Sequence, residues 1–320
     1  MGFALKMYKN TLIVKYEKDG IIPYLSYKDF KDLKYYESNF KNSIGLNIKY
    51  FIYHYDNFKT DKYILFCHGM GPGHTAYLRE IEHLARNGYL VLTLDYTGCD
   101  KSEGETLISV NEPTRDVHDL LMYVKSGVNP ILSTLKEMEV IVVGHSLGAY
   151  TALNTINIHN DIKKAVVISG FTSIIDEFKA ISHIPFGFIF NDIKRFEKNA
   201  LKDYYDISNK EYLKKTKDNI LFIHSKDDAV VPIKASPIKY IKNKPNIEVI
   251  ITDGKGHNPN YTVDAVKYMR EVFGNYASLV KDGTLKTIVD KKDFMKDKDI
   301  FKMTEQDEEI YQKIFSFIEK

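Results

Sequence analysis

The residues most capable of chemistry lie in the segment G-H-S-L-G, residues 144–148. Four β-branched residues, Val140 to Val143, precede it, and a helical pattern follows it. A serine between glycines at such a strand-to-helix turn is typical of a nucleophile elbow, whose strained backbone exposes the serine hydroxyl. The N–H of Leu147, at the start of the helix, would face an anion forming beside Ser146. The pattern therefore predicts Ser146 as a nucleophile.

A serine hydroxyl is a poor nucleophile at neutral pH, and it needs a base that is itself oriented by an acid. The acid candidate is Asp228, in a loop that follows a predicted strand, where parallel sheets assemble their sites. The adjacent Asp227 is the alternative acid, although capping a turn suits it better. The base candidate is His257, because the two glycines in D-G-K-G-H let the backbone bring its ring over Ser146.

A developing oxyanion needs a second N–H donor besides that of Leu147. The segment H-G-M-G-P-G, residues 68–73, follows another predicted strand, and the N–H of Met70 is the best candidate. The same glycines could instead form a simple turn, with His68 holding the loop. The remaining histidines lack the spacing of metal ligands, so the sequence predicts no metal site, and we expect no cofactor.

The elements that must position these residues follow an alternating pattern of strands and helices. The predicted strands are 46–55, 63–67, 89–95, 140–144, 164–169, 220–224 and 247–252, and the predicted helices are 76–87, 113–126, 147–159 and 262–279. Alternation of this kind predicts the α/β class, with a mostly parallel central sheet and helices on both faces. At the N-terminus, residues 11–18 and 21–27 flank Asp19-Gly20, which predicts an antiparallel hairpin.

Two segments depart from the repeating pattern. Residues 172–216 are too long for a loop between strands and are rich in Phe and Ile, including Phe186 and Phe188. They are either a buried excursion or, as we prefer, a helical lid inserted into a core made of residues 1–171 and 217–320. Residues 281–303 are rich in Lys and Asp and are expected to be exposed, with Thr304 as the N-cap of a last, C-terminal helix.

Composition excludes several classes of protein. The net charge is +2, and Lys and Arg are spread along the chain, so nucleic acid is not an expected partner. No apolar run approaches the roughly 20 residues of a membrane span, and the first residues lack a cleavable signal, so we expect no integral membrane association. Cys67 and Cys99 form no disulfide framework. These features favour a cytoplasmic protein and leave its oligomeric state open.

Together these motifs resemble the α/β-hydrolase superfamily over residues 45–171 and 217–280. The segment D-Y-T-G-C-D-K-S-E-G, residues 95–104, looks most like the branch of monoacylglycerol lipase-like and serine aminopeptidase-like proteins. The resemblance implies a Ser146, Asp228 and His257 triad, with backbone N–H groups of Met70 and Leu147 as oxyanion donors. It also implies that Asp95 is structural. The chain departs from the pattern at Asp100, where related proteins often have glycine.

The resemblance indicates the type of reaction but says less about the substrate. A serine in the elbow excludes the aspartate-nucleophile dehalogenases and epoxide hydrolases, while ester, thioester and amide hydrolysis share one acyl-enzyme. The aromatic lid favours an apolar acyl or aryl group, with Phe186 and Phe188 as substrate-binding residues. We therefore expect a carboxylic ester hydrolase acting on a small-molecule ester. Amide, peptide or thioester hydrolysis is the alternative, and a non-catalytic ligand-binding protein of the same fold is a more remote one.

Overall fold

An eight-stranded sheet runs through the centre of the computed structural model, which describes residues 2–182, 190–241 and 244–320. The strands stand in the order β1-β2-β4-β3-β5-β6-β7-β8. Only the pairs β1–β2 and β2–β4 are antiparallel, and the other neighbours are parallel. The strands are β1 (Lys34–Lys41), β2 (Asn47–His54), β3 (Lys62–Cys67), β4 (Leu90–Leu94), β5 (Glu139–His145), β6 (Lys164–Ile168), β7 (Asn219–Ser225) and β8 (Ile247–Thr252).

Helices connect the parallel strands and continue beyond the sheet at both ends of the chain. They are α1 (Phe3–Leu12), α2 (Leu78–Arg86), α3 (Glu112–Ser126), α4 (Pro130–Ser133), α5 (Leu147–Ile158), α6 (Ile174–Ser182), α7 (Asn191–Ala200), α8 (Lys202–Tyr205), α9 (Asn209–Lys215), α10 (Val263–Lys281), α11 (Ile288–Lys296), α12 (Ile300–Met303) and α13 (Glu308–Glu319). The predicted α/β class and mostly parallel sheet are confirmed.

Both faces of the sheet are buried, because every residue of the central strands β3, β4 and β6 is buried and successive side chains point to opposite faces. On β3, Leu65 belongs to an apolar cluster that also contains side chains of α3 and α5. Its neighbours Ile64 and Phe66 belong to the cluster formed with α2 and α13. Helices therefore cover the two faces, as the alternating pattern predicts.

The hairpin predicted for residues 11–27 is wrong. Residues Phe3–Leu12 form α1, and the side chain of Asp19 caps a turn that no strand pairing follows. Tyr16 instead makes a parallel bridge with Cys99, in the loop between β4 and α3. An alternating pattern makes a strand only where a partner strand is available, and here the chain lies along a loop from a distant part of the fold.

The antiparallel strands of the fold lie further along the chain. β1 pairs with β2 from Lys34 opposite His54 to Lys41 opposite Asn47. Of this antiparallel pair, the sequence predicted β2, as a strand over residues 46–55, and did not predict β1.

The C-terminal region also differs from the prediction in detail. The N-cap of α13 is Asp307, whose side chain accepts the N–H groups of Glu309 and Ile310 at 2.9 and 3.1 Å, rather than Thr304. Residues 281–303 form α11 and α12, and they bury Met295 and Met303 within a largely exposed, charged segment. Isolated apolar residues inside a charged sequence carry too weak a pattern to reveal this packing.

The segment 172–216 contains helices α6 to α9 in its described part. Phe186 and Phe188 lie outside the described residues. Along the chain as described, we find no helix with both the length and the apolar character needed to cross a membrane.

Candidate functional site

The turn from β5 to α5 places Ser146 in a strained conformation. Its backbone has φ 58° and ψ −121°, a region that residues with a side chain rarely occupy. A Cβ atom on Gly144 would overlap the backbone of Gly148, and one on Gly148 would overlap the backbone of Cys67. Only glycine fits at both positions, so the G-x-S-x-G spacing is required by the close approach of β3, β5 and α5.

Asp228 and His257 come together from the loops that follow β7 and β8. The His257 Nδ1 lies 2.9 Å from Oδ2 and 3.1 Å from Oδ1 of Asp228. The Asp228 carboxylate also accepts the N–H groups of Val230 and Val231, each at 2.9 Å. Burial acts to raise the pKa of Asp228, but the bond to His257 and the charge-stabilising amide of Val231 outweigh it and hold that pKa below its ordinary value.

Asp227, the alternative acid, binds groups other than the His257 ring. Its carboxylate binds the hydroxyl of Ser225 at 2.5 Å, the N–H of Gly256 at 3.0 Å and the guanidinium of Arg270 at 3.1 Å. Although its partial burial raises the pKa, these donors lower it to about 2. Asp227 thus ties the β7 loop to the loop that carries His257.

The loop after β3 carries Met70 to the same edge of the sheet. Asp95, at the end of β4, accepts the N–H and the ring Nδ1–H of His74, both at 2.8 Å, and so fixes the far end of this loop. Met70, Ser146 and Leu147 line one cavity. Because Leu147 is the first residue of α5, its N–H has no acceptor within the helix and is free for an anion.

The cavity at Ser146 has a volume of about 470 Å³ and a mostly apolar wall. Its lining comes from α1, from the elbow, from the loops after β3, β4, β6 and β7, and from α6: Met7, Thr11, Leu12, Met70, Val110, Ser146, Leu147, Phe171, Ile174, Glu177, Phe178 and Val230. The contribution of α1 was not predicted, because nothing in the local sequence indicates that a helix at residues 3–12 packs against residue 146.

Glu177 is the carboxyl group in this lining, and sequence reasoning missed it. Burial first, and then the negative charge of nearby Asp228, raise the pKa of Glu177 to about 8. The side chain is therefore mostly a neutral acid at pH 7. Nothing in the sequence around Glu177 indicated a functional residue, because it lies on α6 in a segment that was interpreted as aromatic and apolar.

Comparisons with known proteins agree with this architecture. The model of the family Hydrolase_4, described as serine aminopeptidase S33, matches residues 59–201. The lysophosphatidylserine lipase ABHD12 of Bos taurus is 30% identical over 185 residues, a match that covers 53% of this chain and 42% of that protein. The chain thus aligns with less than half the length of this relative.

Two solved structures share the fold. The esterase Pf2001 of Pyrococcus furiosus superposes with a TM-score of 0.57 and 20% identity, covering 82% of this chain and 96% of that chain. The acylaminoacyl peptidase of Pyrococcus horikoshii gives a TM-score of 0.53 and 19% identity, covering 72% of this chain and 38% of that chain. The sheet, the elbow between β5 and α5, and these likenesses together show that this chain has the α/β-hydrolase fold.

Proposed function

We propose that this chain is a serine hydrolase that cleaves carboxylic esters through an acyl-enzyme on Ser146. The observation that carries the proposal is the position of the Asp228–His257 pair beside the strained elbow. His145, the residue before Ser146, has its Nε2 2.7 Å from the carbonyl oxygen of His257, while the His257 ring binds Asp228 at 2.9 Å. The residues proposed as nucleophile, base and acid, Ser146, His257 and Asp228, thus all lie at the carboxyl edge of a parallel sheet, which supports the proposal.

In the proposed reaction the Ser146 hydroxyl attacks the ester carbonyl carbon, and His257 accepts the hydroxyl proton. The N–H groups of Met70 and Leu147 stabilise the charge that develops on the carbonyl oxygen. His257 then gives the proton to the departing alcohol, which leaves the acyl group on Ser146. Water, deprotonated by His257, hydrolyses the acyl-enzyme and releases a carboxylic acid, while Asp228 orients the ring throughout.

The apolar wall of the cavity favours an apolar acyl or aryl group. Phe171 and Phe178 line it in the described structure, and each buried methylene of a substrate contributes about 0.8 kcal/mol. We keep Phe186 and Phe188 as proposed substrate-binding residues, within a proposed lid of residues 172–216.

Glu177 supports a second candidate, the hydrolysis of amides with a free amino group. A carboxyl in an apolar cavity is an unfavourable group unless a ligand or a proton neutralises it, and an ammonium group of an aminoacyl substrate would do so. An ester of a simple fatty or aromatic acid makes no use of this side chain. The two candidates therefore differ in what they require of Glu177.

The deciding experiment compares p-nitrophenyl esters of increasing acyl length with aminoacyl anilides and a thioester. We expect simple esters to be the best substrates and Glu177→Gln to leave their hydrolysis within about threefold. A preference for aminoacyl anilides that Glu177→Gln abolishes would replace ester hydrolysis with the aminopeptidase-like candidate. Preference for the thioester would likewise replace the proposed substrate class.

Labelling by a fluorophosphonate probe tests whether the protein has an activated serine, as a serine hydrolase must. We expect the probe to label the wild-type protein and not Ser146→Ala, since the reaction needs an activated serine. An unlabelled wild-type protein would favour a non-catalytic ligand-binding role. We further propose a cytoplasmic location, which the two free and buried cysteines, Cys67 and Cys99, support.

A further inference from the structure

A chain of hydrogen bonds leads from Tyr77 through His145 to the backbone of His257. The Tyr77 hydroxyl lies 3.1 Å from Nδ1 of His145, and Nε2 of His145 lies 2.7 Å from the carbonyl oxygen of His257. Tyr77 ends the short helical turn before α2, while His145 is the last residue of β5. These hydrogen bonds end at the His257 backbone, while the His257 ring faces Asp228 and packs against the His145 ring, with 4.7 Å between the ring centroids.

The protonation states of Tyr77 and His145 determine which atom donates in each of these hydrogen bonds. Burial first, and then the neighbouring His257, lower the pKa of His145 to about 3, so its ring is neutral and carries one N–H. Burial raises the pKa of Tyr77 well above its ordinary value, so Tyr77 keeps its proton. The His257 carbonyl can only accept, and therefore the His145 N–H is on Nε2 and the Tyr77 hydroxyl donates to Nδ1.

Tyr77 also touches the loop that carries Met70. A Cβ atom on Gly69 would overlap the Tyr77 hydroxyl and would come within 3.1 Å of the carbonyl oxygen of His145. The Tyr77 hydroxyl therefore lies between the Met70 loop on one side and His145 on the other. It is in contact with both structures that flank Ser146.

We propose that Tyr77 and His145 are positioning residues that hold the backbone of the His257 loop over the elbow and set it against the Met70 loop. The inference rests on the proposed function of Ser146 and His257. Asp228 fixes the His257 ring through its side chain, and the Tyr77–His145 chain fixes the same residue through its carbonyl. A base held at both points stays in the reactive orientation for more of the time than one held by its ring alone.

Three variants separate this role from ordinary packing. Tyr77→Phe removes the hydroxyl that donates to Nδ1 of His145. Without that donor the His145 proton can move to Nδ1, and Nε2 then has no N–H for the His257 carbonyl. His145→Leu removes both hydrogen bonds, whereas His145→Gln keeps an N–H for that carbonyl and an oxygen for Tyr77. Tyr55→Phe is the matched control, because the Tyr55 hydroxyl makes a similar bond to Glu82 of α2, at 2.9 Å, away from the elbow.

The measurement is kcat and KM for a p-nitrophenyl ester, with the thermal midpoint of each variant. One lost hydrogen bond corresponds to a loss of about tenfold, so we expect Tyr77→Phe and His145→Leu to lower kcat about tenfold or more with little change in KM. His145→Gln should stay within about threefold of wild type, and Tyr55→Phe should match it. We expect the thermal midpoints of the variants not to follow the order of their kcat values, since both Gln and Leu at position 145 change the packing of the core.

Equal losses in His145→Gln and His145→Leu, or equal kcat in Tyr77→Phe and Tyr55→Phe, would overturn the inference. If His145→Leu does not fold, the comparison of Tyr77→Phe with Tyr55→Phe decides the question alone. Ser146→Ala is measured beside them. Full activity in Ser146→Ala would overturn the proposed function itself, whereas an inactive Ser146→Ala beside a fully active Tyr77→Phe would overturn only the positioning role.

Discussion

Asp227 and Asp228 are adjacent in the chain, yet their carboxylates bind different groups. Asp228 accepts two backbone N–H groups and the His257 ring, and it is almost fully buried. Asp227 contacts Gly256 and Arg270 instead. The geometry therefore favours Asp228 as the group that orients the base.

Replacing Asp228 with alanine should impair ester hydrolysis far more than replacing Asp227. An unoriented histidine still leaves substrate binding and the oxyanion donors, so we expect a loss of about 10³- to 10⁴-fold in kcat for Asp228→Ala. Asp227→Ala should cost about tenfold or less, because it loosens the His257 loop without removing its partner. Steady-state kinetics of the two variants checks the order, and the opposite order would reassign the acid to Asp227.

Replacing Ser146 with alanine should abolish ester hydrolysis and leave the fold intact. Loss of a triad nucleophile typically lowers turnover about 10⁶-fold. Alanine also has to adopt the positive φ of 58° without a hydroxyl, so a small change in thermal midpoint is compatible with this prediction. The measurement is residual hydrolysis beside a far-UV spectrum, and near-native activity would contradict the assignment.

At the scale of elements, α1 is a wall of the cavity and not a separate appendage. Tyr8 of α1 and Ser109 both donate to the buried carboxylate of Glu197 on α7, each at 2.5 Å. Lys9 of α1 also lies over the ring of Phe196, 4.8 Å from its centroid. These contacts fix α1 against α7, and they place Met7 at the cavity above Ser146.

Enlarging Met7 to tryptophan should shorten the preferred acyl chain. A ring at the cavity wall displaces about two methylenes of substrate, which corresponds to about tenfold in the ratio of long-chain to acetyl ester hydrolysis. The control is Phe3→Trp, one helical turn earlier on the same helix and 82% exposed, which should leave the ratio unchanged. An unchanged ratio for Met7→Trp would mean that α1 does not bound the acyl site.

At the scale of the whole molecule, one buried cluster joins α2 to the segment after His257 and to the C-terminal region. The Tyr261 hydroxyl donates to Glu80 at 2.7 Å, and the Asn260 amide donates to Gln306 at 3.1 Å. Burial raises the pKa of Glu80 to about 7, more than these donors can lower it. Within the part of the chain that the structure describes, the second oxygen of Glu80 has no hydrogen-bond partner.

Glu80 therefore makes the stability of the protein depend on pH. Its folded pKa is about 7, above the ordinary value of 4.5, so the folded state holds the proton more tightly. The free energy of unfolding is therefore highest below about pH 4.5, falls as the pH rises from about 4.5 to about 7, and stays at the lower value above that. Glu80→Gln cannot ionise and should match wild type at pH 4, but exceed its unfolding free energy by about 2–3 kcal/mol at pH 8.

Urea unfolding at pH 4 and pH 8 measures this difference. Glu271→Gln on the exposed face of α10 is the control for removing a surface charge. A gap between Glu80→Gln and wild type that is the same at both pH values would show that ionisation of Glu80 does not limit stability.

The local parts of the site could be predicted from the sequence by itself. The β-branched run, the two glycines and the helical pattern determine the elbow, because each acts on its immediate neighbours in the chain. The alternation of apolar strands and amphipathic helices likewise predicted the α/β class and the parallel sheet. Asp228 and His257 followed as candidates, since loops at the carboxyl ends of parallel strands meet at one edge.

Only the tertiary structure decided what those loops and helices touch. The choice of Asp228 over Asp227 as the partner of His257, the place of α1 and Glu177 at the cavity, and the Tyr77–His145 chain all depend on contacts between distant segments. The predicted hairpin over residues 11–27 failed for the same reason, since its partner is a loop some 80 residues away. Local pattern sets the conformation of a segment, whereas packing between segments selects its partners.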